Sequence, residues 1–120
     1  METILIKDGD EAILDVLTTA LEMEGFEVVS VNTCDEKIIL RQIAEKRPHA
    51  VILDIRLSEQ DCIDACKVIK QQYPHLPVIA ISCNANIHEQ YDKQGFDDYI
   101  KKPFDLDLLY RILRKHVPQR

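Results

Sequence analysis

The chain has little of what marks most specialised sequence classes. Its 120 residues hold only three glycines and five prolines, too few for a linker-rich or disordered segment. No apolar run reaches the length of a membrane span, and Met1-Glu2-Thr3 opens no charged-then-apolar leader. Basic residues are outnumbered, 15 against 21 acidic, for a net charge of −6. That balance excludes the clustered basic face that nucleic acid requires. The basic residues from Arg111 to Arg120 are better explained as complementing the C-terminal end of a last helix. The four cysteines, Cys34, Cys62, Cys66 and Cys83, form no metal-ligand spacing. They are read as free thiols in a reducing compartment, so the expected location is the cytoplasm.

What is present is regular. At this length a single domain spanning 1–120 is expected, with a core that removes roughly two-thirds of the unfolded chain's surface from water. Short apolar runs alternate five times with amphipathic segments. The predicted strands are Thr3 to Lys7, Glu27 to Val31, Ala50 to Leu53, Pro77 to Ser82 and Asp98 to Lys101. Between them lie helices from about Asp10 to Glu24, from Thr33 or Asp35 to Pro48, from Cys62 to Gln72, and, more weakly, from Ile87 to Gln94. A last helix follows a cap at Asp105. Ile38, Ile39 and Ile43 are expected inward on the second helix, and Leu106, Leu109, Ile112 and Leu113 on the last. This alternation specifies an α/β fold: one doubly wound, five-stranded parallel sheet of order 2-1-3-4-5, (βα)5 and flavodoxin-like.

In such sheets the ligand crevice lies beyond the carboxyl ends of the strands. Four apolar runs end in reactive groups there: Asp8 and Asp10, Asp54, Ser82, and Lys102-Pro103. Clustered carboxylates repel one another unless a hard cation such as Mg²⁺ joins them, and Asp8, Asp10 and Asp54 are the candidates. A carboxylate is also a competent nucleophile toward a phosphoryl group, given charge neutralisation of the phosphoryl oxygens. Lys102 and Ser82 suit that task. The Lys102–Pro103 bond is a candidate cis peptide that would aim the amine inward, trans being the commoner state. His49, His75, His88 and His116 share no constellation.

From Ile4 to Val117 the chain resembles the response-regulator receiver domain, the phosphoacceptor module of two-component signalling. The matching segments are Ile4-Leu5-Ile6 with Asp8, Val51-Ile52-Leu53-Asp54-Ile55, Pro77 to Ser82, and Gly95 to Ile100 with Lys102-Pro103-Phe104. The resemblance implies that Asp54 takes a phosphoryl group from a histidine kinase or phosphotransfer protein, with Mg²⁺ beside it. Asp8 then matches a metal-binding acid, the carbonyl of Arg56 a main-chain metal ligand, Ser82 the hydroxyl residue and Lys102 the lysine. Tyr99 and Pro103 are the expected switch positions. The chain is expected to be no enzyme beyond its own phosphorylation and dephosphorylation. Its output face would be the fourth helix, fifth strand and last helix, docking an output protein or a second copy. Asp97, Lys93 and Arg111 are candidate ion-pair formers on that face.

Departures from the family pattern are specific. Gly9 stands where an acid would contact Mg²⁺, so weak metal binding is expected, and Asp10 is the only nearby substitute. Ser58 and Cys62 replace Pro and Gly after the phosphoacceptor, the stretch from Ser82 to Gly95 is about two residues short, and Lys7 replaces an apolar residue. The alternative reading is a phosphorylation-impaired domain that acts as a protein-binding module. A flavodoxin-like binding protein lacks the expected phosphate-cradling loop, and an aspartyl-phosphate hydrolase lacks room for a cap.

Overall fold

The computed structural model describes residues 2–55 and 60–118. Five strands, β1 (Thr3–Lys7), β2 (Glu27–Val31), β3 (Ala50–Ile55), β4 (Val78–Ser82) and β5 (Asp98–Lys101), alternate with five helices. These are α1 (Glu11–Met23), α2 (Glu36–Lys46), α3 (Gln60–Gln72), α4 (Ile87–Gln90) and α5 (Leu106–His116). All strand pairs are parallel, in the order β2-β1-β3-β4-β5. Every residue of β1, β3 and β4 is buried, as expected for strands covered on both faces.

Alternate side chains along those strands feed two separate cores. Leu5, Val51, Leu53, Val78 and Ala80 pack with Ile39, Ile43, Cys62, Cys66 and Ile69 from α2 and α3. Ile4, Ile6, Ile52, Ile79 and Ile81 pack with Leu17 and Leu21 of α1 and Leu109 and Leu113 of α5. The period of two in the strands therefore sorts the apolar residues between layers. Helix starts follow their caps: the side chains of Asp10, Asp35 and Asp105 accept backbone N–H bonds at the first turns of α1, α2 and α5. Gly25, at φ +97°, turns the chain out of α1.

The sequence reading needs correction in four places. Ile38 and Leu106 face outward, each 43% exposed, because the inward stripes of α2 and α5 are completed by Ile39 with Ile43 and by Leu109 with Leu113. Helix α4 is four residues, ending at Gln90 rather than Gln94. Asn86 gives it no side-chain cap, and so short a helix gains little from cooperative propagation; turns carry the chain on to Gly95 at φ +99°. Cys34 and Cys62, expected free, form a disulfide with a Cα–Cα separation of 5.2 Å. The fold brings the β2–α2 loop against the first turn of α3, which residue spacing alone did not reveal. Asp97 pairs at 2.9 Å with Lys70 of α3 and also accepts the Val78 N–H, so it ties α3 and β4 to the start of β5.

The amino edge of the sheet is held by polar staples. His49 Nδ1 accepts the Thr3 N–H at 3.0 Å. Arg114 pairs with Glu2 at 2.8 Å, donates to the Glu24 carbonyl, and lies over the Phe26 ring. Asp98 is buried against His116 at 2.9 Å and Lys115 at 3.4 Å. Burial alone would raise the Asp98 carboxyl. The His116 contact, the Tyr99 N–H and Lys115 outweigh it and hold the group below the usual carboxylate range.

Two outcomes follow from this packing. Because Asp98 is depressed, its contribution to stability is present above the unfolded value near 4 and lost as pH falls through the lower folded value. Chemical denaturation of Asp98→Asn against wild type should show a deficit at neutral pH that shrinks below about pH 4. Cys83 is exposed, whereas Cys66 is buried with its thiol pushed up to about 12, chiefly by burial and then by Asp97. Unreduced native protein should take up one iodoacetamide per chain, at Cys83, by peptide mass mapping.

Candidate functional site

The carboxyl edge of the sheet brings Asp8, Asp54, Ser82 and Lys102 together. In the parallel register Lys7 lies beside Leu53 and Ile55 beside Ser82, so Asp8 and Asp54 leave β1 and β3 as neighbours. Ser82 lies beside Lys101, and the Lys102 N–H donates to the Ser82 carbonyl at 2.8 Å, which fixes the loop after β5. The Lys102–Pro103 peptide is cis. Lys102 Nζ then stands 2.9 Å from Asp54 Oδ1, a charge-assisted contact on a carboxylate that is only 4% exposed.

Asp8 is deeper, 1% exposed. Its Oδ1 accepts the Asp10 N–H at 2.8 Å, while its Oδ2 is buried without a hydrogen-bond partner. Burial pushes the Asp8 carboxyl above its ordinary range, and the neighbouring Asp54 adds to that; the Asp10 N–H and Lys102 offset only part. A cavity of about 580 Å³, lined by Asp8, Gly9, Ser30, Thr33 and Ile38 among others, opens beside it. The outward-facing Ile38 thus has a place in the wall of this cavity.

These observations bear on a metal. An orphaned, buried carboxylate oxygen next to a second carboxylate is a fitting donor set for Mg²⁺, which typically takes one or two carboxylates and keeps several waters. Asp10 is engaged elsewhere through one of its oxygens. Its Oδ1 caps α1, accepting from Ala12 N at 3.0 Å and Ile13 N at 3.3 Å. No group of three or more acidic, histidine or cysteine ligands occurs among the described residues. Arg56, the expected main-chain ligand, and Ser58 lie outside the described residues.

Ser82 is buried, and its Oγ accepts the Asn84 N–H at 3.0 Å. Asn84 also bonds Gln90 at the end of α4. Tyr99 is half-buried on β5 and stacks on Tyr91 with ring centroids 4.9 Å apart. One group was not assigned to the site from sequence: Lys7, 4% exposed, whose Nζ donates to the Asp54 carbonyl at 3.3 Å. The signal was a lysine inside an otherwise apolar strand.

Residues 4–114 match the family model of the response regulator receiver domain. The chain belongs to that family. It is 40% identical over 117 residues to a putative response regulator NtrX-like of Rickettsia bellii, a match covering 93% of this chain and 24% of that protein. Over 106 residues it is 31% identical to the alkaline phosphatase synthesis transcriptional regulatory protein PhoP of Bacillus subtilis, covering 84% of this chain and 42% of the other. The chain therefore spans about a quarter of the NtrX-like relative and less than half of PhoP. Among solved structures, the receiver domain of NtrX from Brucella abortus superposes with a TM-score of 0.81 at 31% identity, covering 98% of this chain and 99% of that one. TrrA from Thermotoga maritima, solved in complex with Mg²⁺-BeF, shares the fold at a TM-score of 0.83 and 22% identity, covering 97% and 99%. The chain is thus a receiver domain of the kind found in two-component response regulators.

Within this receiver, the raised Asp8 carboxyl has a thermodynamic sign. A carboxyl whose folded value exceeds its unfolded value costs stability once pH rises through that window, and costs nothing below the unfolded value near 4. Asp8→Asn should therefore raise Tm by a few degrees at neutral pH in the absence of divalent cations. Calorimetric melts should show the gain vanish on acidification toward pH 4.

Proposed function

We propose that Asp54 is the phosphoacceptor of this receiver, taking a phosphoryl group from the phosphohistidine of a histidine kinase or phosphotransfer protein. The observation that carries this reading is the Asp54–Lys102 contact of 2.9 Å beside the unpartnered Oδ2 of Asp8. Asp54 is a nucleophile already held next to a fixed cation. In the reaction an Asp54 carboxylate oxygen attacks phosphorus, the donor's P–N bond breaks, and an acyl phosphate forms. The electron pair of that bond leaves with the imidazole, which picks up a proton.

Lys102 neutralises charge on the phosphoryl oxygens, and Ser82 can donate its hydroxyl to one of them. For Ser82 the step requires its Oγ to turn away from the Asn84 N–H. Asp8 and Asp54 are the residues that would hold Mg²⁺, which supplies further positive charge to the transferring group. The absence of a third carboxylate at Gly9, with Asp10 committed to its cap, supports weak metal binding.

The proposed output surface is the α4–β5–α5 face, with Tyr99 and Pro103 as its switch positions and an output protein or second copy as its partner. No helix among the described residues is long and apolar enough to cross a membrane. A cytoplasmic setting is proposed from the family. The Cys34–Cys62 bond is the observation against it, since that compartment keeps thiols reduced. The relatives give no support to a phosphorylation-impaired binding module.

Incubation with acetyl phosphate and Mg²⁺ should add one phosphoryl group to the intact mass of wild type and none to Asp54→Asn. Lys102→Met should slow the gain by about 10²-fold or more. A wild-type mass that does not change at any Mg²⁺ concentration would sink the phosphoacceptor reading.

A further inference from the structure

Cys34 and Cys62 join two segments that both border the acid pocket. Cys34 lies in the β2–α2 connection, directly after Thr33, and Thr33 lines the cavity beside Asp8. Cys62 stands in the first turn of α3, the helix that follows Asp54 in the chain. Its sulfur lies 3.9 Å from the Asp54 carbonyl oxygen. The disulfide, across a Cα–Cα distance of 5.2 Å, therefore fastens one wall of the pocket to a helix that touches the backbone of the other.

The two sulfurs differ in access. Cys62 is 0% exposed, whereas Cys34 keeps 7% and lines a cavity of about 490 Å³ with Thr33, Lys37, Asp61 and Asp64. Exchange needs a thiolate to reach one sulfur and release the other, so access decides which is attacked. A thiolate entering this cavity meets Cys34.

We propose that the Cys34–Cys62 bond is a thiol–disulfide exchange site, attacked at Cys34, whose state sets how firmly the acid pocket is held. A thiolate of a thiol reductant bonds to Cys34 Sγ as the Cys34–Cys62 bond breaks, and Cys62 leaves as a thiolate that takes up a proton. A second thiolate attacks the reductant's sulfur in that mixed disulfide and releases Cys34, which is protonated in turn. The protein bond gains two electrons, and two reductant thiols become one disulfide.

Two changes then reach the pocket. The β2–α2 connection loses its covalent tie to α3. The Cys62 sulfur, which carries no hydrogen in the disulfide, becomes a weak S–H donor beside the Asp54 carbonyl. In the cytoplasmic setting proposed above, a bond of this kind is expected to be transient and redox-sensing rather than structural. The exchange site stands on its own, while its effect on the pocket rests on the cation site of the phosphoacceptor reading.

Mass mapping of the full chain tests the site. Unreduced protein, denatured with iodoacetamide, should be labelled only at Cys66 and Cys83, and protein first reduced in the native state at all four cysteines. In a Cys83→Ser background, native Cys62→Ala should form a mixed disulfide with hydroxyethyl disulfide at Cys34, and native Cys34→Ala none at Cys62. Should either variant fail to fold, brief native reduction of the chain with 2-mercaptoethanol and an acid quench gives the same assignment from the trapped adduct. Calorimetric titration with MgCl₂ should show binding about three-fold weaker or more after reduction, because the freed segments must be ordered again. Cys34→Ala should match the reduced chain and ignore reductant.

Labels on all four cysteines of unreduced protein overturn the exchange site. So does a bond that yields to thiol only in denaturant, or an adduct at Cys62 in place of Cys34. Mg²⁺ affinity that is unchanged or tighter on reduction overturns its hold on the pocket. If reduction weakens Mg²⁺ binding but Asp54 never gains mass from acetyl phosphate, the exchange site stands and the phosphoacceptor reading falls.

Discussion

The Asp54–Lys102 contact is the constraint on which the carboxyl edge depends. Two carboxylates removed from water at adjacent strand tips repel each other, and neither can be stable there as an anion without nearby positive charge. Lys102 reaches Asp54 because β5 runs parallel to β4 and the Lys102 N–H, just past β5, is tied to the Ser82 carbonyl. The sheet register, the β5–α5 loop and the ion pair are consequently one arrangement. Asp8 is the part left incompletely satisfied, with one oxygen bonded and the other not.

The two edges of the sheet divide the work of stability and chemistry. At the amino edge Arg114 and His116 fasten α5 to β5, Glu2 and the end of α1, and His49 accepts the Thr3 N–H. Burial makes these charged groups costly to desolvate, and the partner each one finds offsets that cost. At the carboxyl edge the same apolar strands carry buried acid that the fold alone does not fully compensate. Rigidity at one end lets the other hold groups in a destabilised state, which is the usual condition of a reactive site.

Much of this was legible in the sequence for one reason: continuous apolar strands and amphipathic helices have different periods, and the capping aspartates mark the starts. Asp54, Ser82 and Lys102 could be placed because each follows an apolar run, and strand ends in a parallel sheet share an edge. What escaped depended on contacts between distant segments. The inward stripe of α2 is chosen by how that helix sits against Leu5 and Val51, so Ile38 could not be oriented from spacing alone. Nearness of Cys34 to Cys62 depends on the approach of two loops. Lys7 was visible as an oddity, but its contact with the Asp54 carbonyl required the register that sets it beside Leu53. Asp10 was read as a candidate metal ligand, and only the Ala12 and Ile13 N–H groups its Oδ1 accepts show that it caps α1.

The weakest element lies where the proposed signal has to travel. Helix α4 is four residues long and uncapped, and what holds it is the buried Ile87 together with a chain of polar contacts starting at Ser82. The Ser82 Oγ accepts from Asn84 N, the Asn84 carbonyl accepts from Ile87 N, and the Asn84 side chain bonds Gln90. Tyr91, just past α4, stacks on Tyr99 of β5. A hydroxyl that leaves Asn84 for a phosphoryl oxygen removes the first link of that chain. The segment it releases is one of low intrinsic stability, and such segments are the ones whose populations shift for small changes in free energy. The short α4 is thus more than a deviation from the expected helix length. It is the part of the fold in which the buried Ile87 is the helix's one core anchor, so a hydrogen bond at Ser82, about 1 kcal/mol, is a sizeable share of what keeps the segment in place.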